Sequence, residues 1–283
     1  MALETLGKVL LDPKATWTTK EQQQAMLAVL KREQDVMAML KTGGGKSMLA
    51  IIPAVMMKKE GIILTLPLKS LMTDWERKLT EMKIPFQVYH PNSNGGRLRS
   101  DINLILVSAD RATHAGWRQA LATINQVLPV TQLVFDEAHL VLLSEDFRKS
   151  LTNISELRQL PMQLILLSGT VPPQSVMALK SAFRLTSDTI QVRQSSNRPE
   201  LEYVMERAMG SPGIPSKVMN IVKRERQGWK EEDRGLVFVT YVEDGKALAA
   251  QVSEIKNKKK YKFADQNKID QLAILQWKCR DQQ

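Results

Sequence analysis

Residues 42–47 have the sequence TGGGKS, in which three glycines precede a lysine and a serine. Glycine has no Cβ, so successive backbone N–H groups can surround phosphate oxygens without steric penalty. The lysine can reach the β- and γ-phosphates of a nucleoside triphosphate, and the serine hydroxyl can bind magnesium. A flexible glycine-rich turn is the alternative, but the Lys-Ser pair favours a triphosphate site. The predicted nucleotide ligands are Thr42, Gly43, Gly44, Gly45, Lys46 and Ser47.

A second candidate segment, DEAH, begins at Asp136 directly after an apolar run at 133–135. The carboxyl end of a buried parallel strand is where ligands bind in open sheets, so Asp136 is expected to hold magnesium through water. Glu137 is expected to orient and deprotonate the attacking water. His139 fits a coupling role better than a zinc site, since no cysteine or second histidine lies at ligand spacing. A solvated acidic turn is the alternative. The predicted catalytic residues are Lys46, Asp136 and Glu137, and the predicted magnesium ligands are Ser47 and Asp136.

In this order the two motifs resemble those of superfamily 2 helicases, and residues 1–193 are similar to the first motor lobe of the RecQ-like group. That group has an adenine-binding glutamine upstream, and Gln22 stands in its register, with Gln23 as the alternative. A glutamine amide offers a donor and an acceptor to the N6/N7 edge of adenine, so the resemblance implies ATP. Trp17 stands at the group's upstream aromatic position, whereas Thr18 replaces its usual basic residue. A glutamine on a helix surface is the alternative for Gln22.

Three weaker motifs follow in the family's order. Residues 64–75 resemble motif Ia and residues 106–112 resemble motif Ic, which implies nucleic-acid contacts by Lys69, Ser70 and Ser108. Residues 168–170 (SGT) resemble motif III, which links hydrolysis to strand movement. The coupling residues implied by the resemblance are His139, Ser168 and Thr170. After DEAH, Phe147 and Arg148 match the DNA-sensing loop of RecQ enzymes, but the expected tryptophan is absent.

Composition narrows the class of protein. Hydrophobic residues make up 43% of the 283 positions, enough for one large or two modest cores. No apolar stretch of about 18 residues and no secretory segment is present, which predicts an intracellular, soluble protein that does not bind membranes. The resemblance implies the nucleus if the source is eukaryotic. Cys279 is the only cysteine, so neither a disulfide framework nor the structural zinc common in RecQ enzymes is expected.

The charge balance favours a polyanion. The net charge is +10, with 40 basic and 30 acidic side chains. Two basic clusters contribute to it, although each is equally consistent with a solvated helix face. The clusters are Lys217, Lys223, Arg224, Arg226 and Lys230, and Lys256, Lys258, Lys259, Lys260 and Lys262. Together with the resemblance, the charge predicts DNA, single-stranded or as a tailed duplex, as the partner.

The hydrophobic pattern predicts an α/β fold. Apolar strand candidates lie at 35–40, 62–66, 102–107, 132–136 and 163–167, separated by segments that can form helices. One such segment has apolar residues at 48, 51, 52, 55 and 56, which predicts an amphipathic helix. Strands alternating with helices indicate a doubly wound parallel sheet. The resemblance implies a RecA-like P-loop NTPase lobe over residues 1–193.

A second, incomplete RecA-like lobe is expected at 216–283, after an irregular linker at 194–215. A strand at 236–239 and a helix with Leu248, Val252 and Ile255 on one face resemble the start of that lobe, with motif IV. The roughly ninety residues that follow residue 193 are fewer than such a lobe needs. The family's motifs V and VI, with the arginine that crosses to the γ-phosphate, are therefore expected to be missing.

These observations predict an ATP-dependent DNA helicase or translocase of RecQ type that uses Mg²⁺, with the 3′-to-5′ polarity that the resemblance implies. The alternative is a truncated remnant that binds ATP and nucleic acid without unwinding. A P-loop ATPase acting on proteins is disfavoured by the Gln22 segment, motif Ia and the positive charge.

Overall fold

Seven parallel β-strands form one sheet in the N-terminal part of the chain. The computed structural model describes residues 1–91, 96–143, 158, 160–195 and 197, and beyond these only 218–221, 224, 243 and 245–248. The strands are β1 Val36–Met39, β2 Gly61–Leu66, β3 Gln87–Val88, β4 Leu104–Ser108, β5 Val130–Phe135, β6 Gln163–Ser168 and β7 Ile190–Arg193. The helices are α1 Ala2–Leu10, α2 Lys20–Lys31, α3 Met48–Met56, α4 Lys69–Glu81, α5 Ala109–Ala112, α6 Ala115–Asn125, α7 Leu140–Leu143 and α8 Val176–Ala182, the last preceded by a 3₁₀ turn at Pro173–Ser175.

The strand order is β3-β4-β2-β5-β6-β1-β7, and every neighbouring pair is parallel. The carboxyl ends of all strands therefore meet at one edge. The loops after β1, β2, β4, β5 and β6, which carry the predicted motifs, leave the sheet at that edge. In such sheets this is where ligands bind.

Helices cover both faces of the sheet, as a doubly wound fold requires. Along β1, Val36 and Ala38 belong to a core cluster shared with α1–α4, while Met37 and Met39 belong to a second cluster shared with α5–α8. This alternation follows from the two-residue period of a strand. Because both faces are covered, β2 and β6 are buried along their whole length. The prediction of an α/β doubly wound parallel sheet is confirmed.

The five predicted strands are present within about two residues of their expected limits. The two edge strands, β3 and β7, were not predicted. The amphipathic pattern expected for α3 is wrong, because every residue from Met48 to Ala54 is buried. Helices α1 and α2 both pack on α3, so its outer side faces protein instead of water.

Buried polar side chains connect α2 to the sheet. Gln132 Nε2 donates to Val29 O (2.9 Å) and to Gln163 Oε1 (2.8 Å). Gln163 Nε2 in turn donates to Ala28 O (3.2 Å), and Asp35 Oδ1 accepts from Leu164 N (2.9 Å). These bonds fix the C-terminal half of α2, and so help to set the position of Gln22 near its start.

The chain divides into two compact units, Met1–Ser196 and Asn197–Gln283. In the second unit the described residues other than Asn197 are helical, Met219 and Leu248 are buried, and Lys246 pairs with Glu243 (2.8 Å). The predicted strand at 236–239, most of the linker and nearly all of both basic clusters lie outside the described residues, as do Phe147 and Arg148. In the part of the chain that the structure describes, no helix is long and apolar enough to cross a membrane.

Candidate nucleotide-binding site

Residues 42–47, which we call the glycine loop, follow β1 and lead into α3. Gly43 and Gly45 have φ values of 79° and 74°, a region that side-chain-bearing residues rarely adopt. A Cβ on Gly44 would lie 2.9 Å from both Lys41 O and Gln194 Oε1. One on Gly43 would meet nothing within 4 Å, so that side of the loop is open. The loop thus needs its glycines, and its open face has room for a ligand.

The Lys46 side chain extends back to the two residues that precede the glycine loop. Its ammonium donates to Leu40 O (3.0 Å) and to Lys41 O (3.4 Å). A Cβ on Gly169, in the loop after β6, would lie 3.3 Å from Lys46 Nζ, so the glycine there leaves space for the ammonium. The oxygens of a bound phosphate would take the place of these carbonyl oxygens as acceptors for the Lys46 ammonium.

Asp136 and Glu137 follow β5 at the same edge of the sheet. Asp136 is 8% exposed, and its carboxylate accepts from Trp75 Nε1 at 2.8 Å and from the N–H of Glu137 at 3.0 Å. Glu137 has a φ of 46°, which is strained for a residue with a Cβ. The loop is held to β6, because Ala138 N donates to Leu167 O (2.9 Å).

The electrostatics of the pair suit proton transfer. Burial raises the pKa of the Glu137 carboxyl, and the negative charge of Asp136 raises it further, while Lys46 opposes the shift. A carboxylate with a raised pKa is a stronger base for a water molecule. Lys46 therefore lies close enough to the acidic pair to act on its charge.

His139 joins the acidic loop to the predicted motif III. His139 Nδ1 is 2.9 Å from Ser168 Oγ and 3.3 Å from Glu137 Oε2. Thr170 N donates to the same serine oxygen at 3.3 Å. Burial lowers the pKa of His139, with Asp136 opposing that shift, which favours the neutral ring. The three predicted coupling residues are thus in one hydrogen-bonded group.

Gln22 is 1% exposed and lies against the glycine loop, with both ends of its amide bonded within the chain. Its Nε2 donates to Gly45 O (3.2 Å), and its Oε1 accepts from Thr18 N (2.7 Å). Thr19 Oγ1 accepts from Gln22 N (3.1 Å) and so caps the start of α2, while the Gln22 side chain bonds the N–H of Thr18, one residue before the N-cap. Gln23, the alternative, is exposed. The sequence signal for this arrangement is Thr-x-x-Gln, which the sequence analysis missed.

Helix α4 contributes two residues that the sequence analysis also missed. Trp75 is buried and bonds Asp136, as described above. One turn later, Lys78 Nζ donates to Ser47 Oγ and lies 5.7 Å from the Trp75 ring centroid. The order β2-β5 in the sheet places α4, which follows β2, beside the loop that follows β5. Nothing local in the sequence around DEAH signals this neighbour.

The predicted nucleic-acid ligands differ in accessibility. Ser70 is exposed in the first turn of α4, whereas Ser108 is buried at the end of β4. Lys69 begins α4, but its side chain lies outside the described part. Of the three side chains, only that of Ser70 is both described and open to a ligand.

The residues present fit a magnesium ion. Mg²⁺ prefers oxygen ligands and keeps several waters, so one hydroxyl and one carboxylate are a sufficient protein contribution beside phosphates. Ser47 Oγ and the Asp136 carboxylate supply these, and α4 contacts both. Among the described residues no group of three or more His, Cys, Asp or Glu side chains is placed to hold a metal.

Named relatives share this part of the chain. ATP-dependent DNA helicase Q5 of Rattus norvegicus is 28% identical over 203 residues, which are 66% of this chain and 21% of the relative. RecQ-like DNA helicase blm-1 of Caenorhabditis elegans is 24% identical over 222 residues, 73% of this chain and 22% of the relative. A protein named as ATP-dependent RNA helicase R290, of Acanthamoeba polyphaga mimivirus, is 28% identical over 59% of this chain and 32% of its own. This chain spans about a fifth to a third of their lengths.

Solved structures agree in fold. S. cerevisiae Dbp5 bound to RNA and ADP BeF3 matches with a TM-score of 0.65 and 13% identity, over 90% of this chain and 65% of that one. The DUF1998 helicase MrfA bound to DNA matches with a TM-score of 0.64 and 14% identity, over 89% and 38%. The sequence pattern of the family described as DEAD/DEAH box helicase matches residues 19–179, more than half of the chain. That span contains the glycine loop, the acidic pair and the His139–Ser168 contact, and the protein belongs to the DEAD/DEAH box helicase family.

Proposed function

We propose that this chain carries the ATP-hydrolysing lobe of a DNA helicase or translocase of RecQ type, with 3′-to-5′ polarity. The observation that carries the proposal is the meeting of Lys46, the Asp136–Glu137 pair and the His139–Ser168 contact at one edge of the sheet. DNA as the partner is supported by two relatives named as DNA helicases, and by the net charge of +10. A nuclear location in a eukaryotic source rests on the same two relatives.

The chemistry follows from the positions of the side chains. The glycine-loop amides and Lys46 hold the phosphates, with the Lys46 ammonium exchanging the carbonyls of Leu40 and Lys41 for phosphate oxygens. Glu137 takes the proton of the attacking water. Ser47 and Asp136 would hold a magnesium ion, which would supply charge neutralisation to the phosphates. Ser168 contacts both His139 and Thr170, so a movement of the loop that carries Asp136 and Glu137 is transmitted to Thr170.

Adenine selection is assigned to Gln22, with Trp17 beside it. Its amide already carries the donor and acceptor that adenine requires, but both are engaged by Gly45 and Thr18. Nucleotide binding therefore has to exchange at least one of these bonds for the base. The Gln22 side chain is placed for this role because it contacts Gly45, the residue before Lys46 in the glycine loop.

The wider organisation belongs to the same proposal. We assign residues 1–193 to the first motor lobe, 194–215 to the linker and 216–283 to part of a second RecA-like lobe. Lys69, Ser70 and Ser108 are assigned to nucleic-acid phosphates, at loops that leave the sheet at the nucleotide edge. ATP binding and release would move the loops at this edge of the sheet, and with them the residues assigned to nucleic-acid phosphates.

The test is the ATPase rate of the whole chain, alone and with single-stranded DNA or RNA of matched sequence. We expect stimulation by DNA above that by RNA, and loss of turnover in Lys46→Ala. Loss of turnover follows because Lys46 is the ammonium assigned to the β- and γ-phosphates, and alanine leaves their charge without that partner. Wild-type turnover in Lys46→Ala would refute the site, and stronger stimulation by RNA would refute the DNA assignment.

A strand-displacement assay on a 3′-tailed duplex separates the helicase from the alternative, a module that binds ATP and nucleic acid without unwinding. Displacement that requires ATP supports the helicase. Binding of the tail with an intact duplex supports the module. A 5′-tailed duplex is the matched control for polarity.

A further inference from the structure

Helix α4 contacts both of the groups assigned to magnesium. Trp75 Nε1 donates to Asp136 Oδ2 (2.8 Å), and Lys78, one turn later on the same face, donates to Ser47 Oγ. The two α4 side chains also touch each other, with Lys78 Nζ 5.7 Å from the centroid of the Trp75 ring. One rigid element thus places a neutral donor on the carboxylate and a cation on the hydroxyl.

The ammonium of Lys78 is bound in the site at a net electrostatic cost. Burial lowers the pKa of Lys78, and although attraction to Asp136 opposes that shift, Arg77 and Lys46 add to it. The Asp136 charge and the hydrogen bond to Ser47 Oγ compensate only part of this cost. The Lys78 ammonium is therefore readily displaced from Ser47 Oγ by another cation.

A magnesium ion needs the same oxygen. It would bind Ser47 Oγ at about 2 Å, whereas an ammonium donates to such an oxygen from about 2.8 Å. Both cations on one hydroxyl would stand only a few ångströms apart, where their repulsion is large. The Trp75 bond is different, because a neutral N–H on Oδ2 adds no charge and fixes the direction of the carboxylate, and Oδ1, which accepts from Glu137 N, keeps a second lone pair for the ion.

We propose that Lys78 is the resident cation of the magnesium site: its ammonium holds Ser47 and faces Asp136 until Mg²⁺ displaces it. This inference rests on the proposed function, since it assumes that the glycine loop and Asp136 bind a magnesium nucleotide. Lys78 then sets the magnesium concentration at which the nucleotide is bound tightly, and partly replaces the ion when magnesium is absent.

The experiment measures binding of a fluorescent, non-hydrolysable ATP analogue to the whole chain while Mg²⁺ is titrated. In Lys78→Met, which keeps an apolar stem beside Trp75, we expect half-maximal binding at about tenfold lower Mg²⁺, the effect of removing a like charge a few ångströms from the ion. In EDTA the same variant should bind the analogue more weakly than wild type. Lys78→Arg, which keeps the charge, should retain the wild-type requirement within about twofold.

Arg77→Met is the matched control, because it removes one positive charge from an exposed position on the same helix. Its magnesium requirement should equal that of wild type. Thermal unfolding checks the fold of each variant, and Lys78→Gln replaces Lys78→Met if the latter does not fold.

Two results would overturn the inference. An unchanged magnesium requirement in Lys78→Met means that Lys78 does not compete with the ion. Weaker binding of the analogue by that variant at saturating Mg²⁺ means that Lys78 is a phosphate ligand instead. If wild type binds no analogue at any magnesium concentration, the proposed function and this inference both fail. If wild type binds the analogue but Lys78→Met keeps the wild-type magnesium requirement, only this inference fails, so the two failures are distinguishable.

Discussion

Glu137 combines two features that catalytic positions often show. Its backbone has a φ of 46°, and burial and the neighbouring Asp136 raise its pKa. A strained backbone persists only where the surroundings fix it, and here Ala138 N is bonded to Leu167 O and His139 to Ser168. The strained turn therefore places the Glu137 carboxyl 3.3 Å from His139 Nδ1 and within electrostatic reach of Lys46.

Gln22 has two roles that a single substitution can separate. Its Oε1 accepts from Thr18 N, one residue before the N-cap of α2, and its Nε2 donates to Gly45 O in the glycine loop. A sequence motif that contains a glutamine cannot tell these roles apart, because both depend on the same amide. Replacing the amide by a carboxylate keeps the acceptor and removes the donor.

We predict that Gln22→Glu weakens ATP binding by about tenfold and also destabilises the lobe by about 1–3 kcal/mol, because a buried carboxylate then faces Gly45 O without a donor. The bond from Thr18 N survives, and an acidic side chain is favoured near a helix N-terminus, whereas the donor to Gly45 or adenine is lost. Thermal unfolding and nucleotide titration measure the two effects. Gln23→Glu adds the same charge at the exposed neighbouring position and should leave ATP affinity unchanged. Equal loss of affinity in both variants would show that charge alone is responsible.

At the scale of elements, β7 ends against the nucleotide site. Arg193 Nη1 donates to Val171 O (2.7 Å) in the loop after β6. The next residue, Gln194, donates its N–H to Met39 O (2.9 Å), and its Oε1 accepts from Lys41 N (3.2 Å) at the start of the glycine loop. The last residue of β7 and the first residue of the proposed linker thus hold two loops of the site.

We predict that Gln194→Ala weakens ATP binding by about fivefold, since one hydrogen bond that fixes the glycine loop contributes about 1 kcal/mol. The substitution also removes the side chain next to Gly44, so the loop loses a wall as well as a bond. Nucleotide titration measures the change. Gln191→Ala, at an exposed position on the same strand, is the control and should bind as wild type does. Unchanged affinity in Gln194→Ala would show that the loop is held by its own backbone.

Some elements of this fold can be predicted from local sequence patterns, and others cannot. The central strands are buried on both faces, so each is a continuous apolar run that is visible in the sequence. β3 has two residues and β7 alternates in exposure, so neither edge strand produces such a run. Within the site, the glycine loop and the acidic pair are local motifs. Trp75, Lys78 and Gln194 reach them only because β2 lies beside β5, and β7 beside β1, which no local pattern encodes.

For the whole molecule, charge is the property that bears most directly on the partner. The chain carries a net charge of +10, and phosphate contacts by cationic side chains release counterions from the nucleic acid. Such contacts make affinity depend on salt whichever base sequence is bound. Stacking or hydrogen bonding to bases would leave affinity far less sensitive to salt.

We predict that the affinity for single-stranded DNA falls by roughly 50-fold between about 50 mM and about 200 mM monovalent salt. The estimate assumes about four neutralised phosphates and a slope of about −0.7 for each in a single strand. Fluorescence anisotropy of a labelled oligonucleotide measures it, first without nucleotide and then with the non-hydrolysable ATP analogue. Poly-glutamate is a control for unspecific attraction to polyanions, because it lacks the spacing of a phosphate backbone. Affinity that changes less than about twofold over this range would exclude phosphate contacts as the main source of binding, and with them the role assigned to the basic charge.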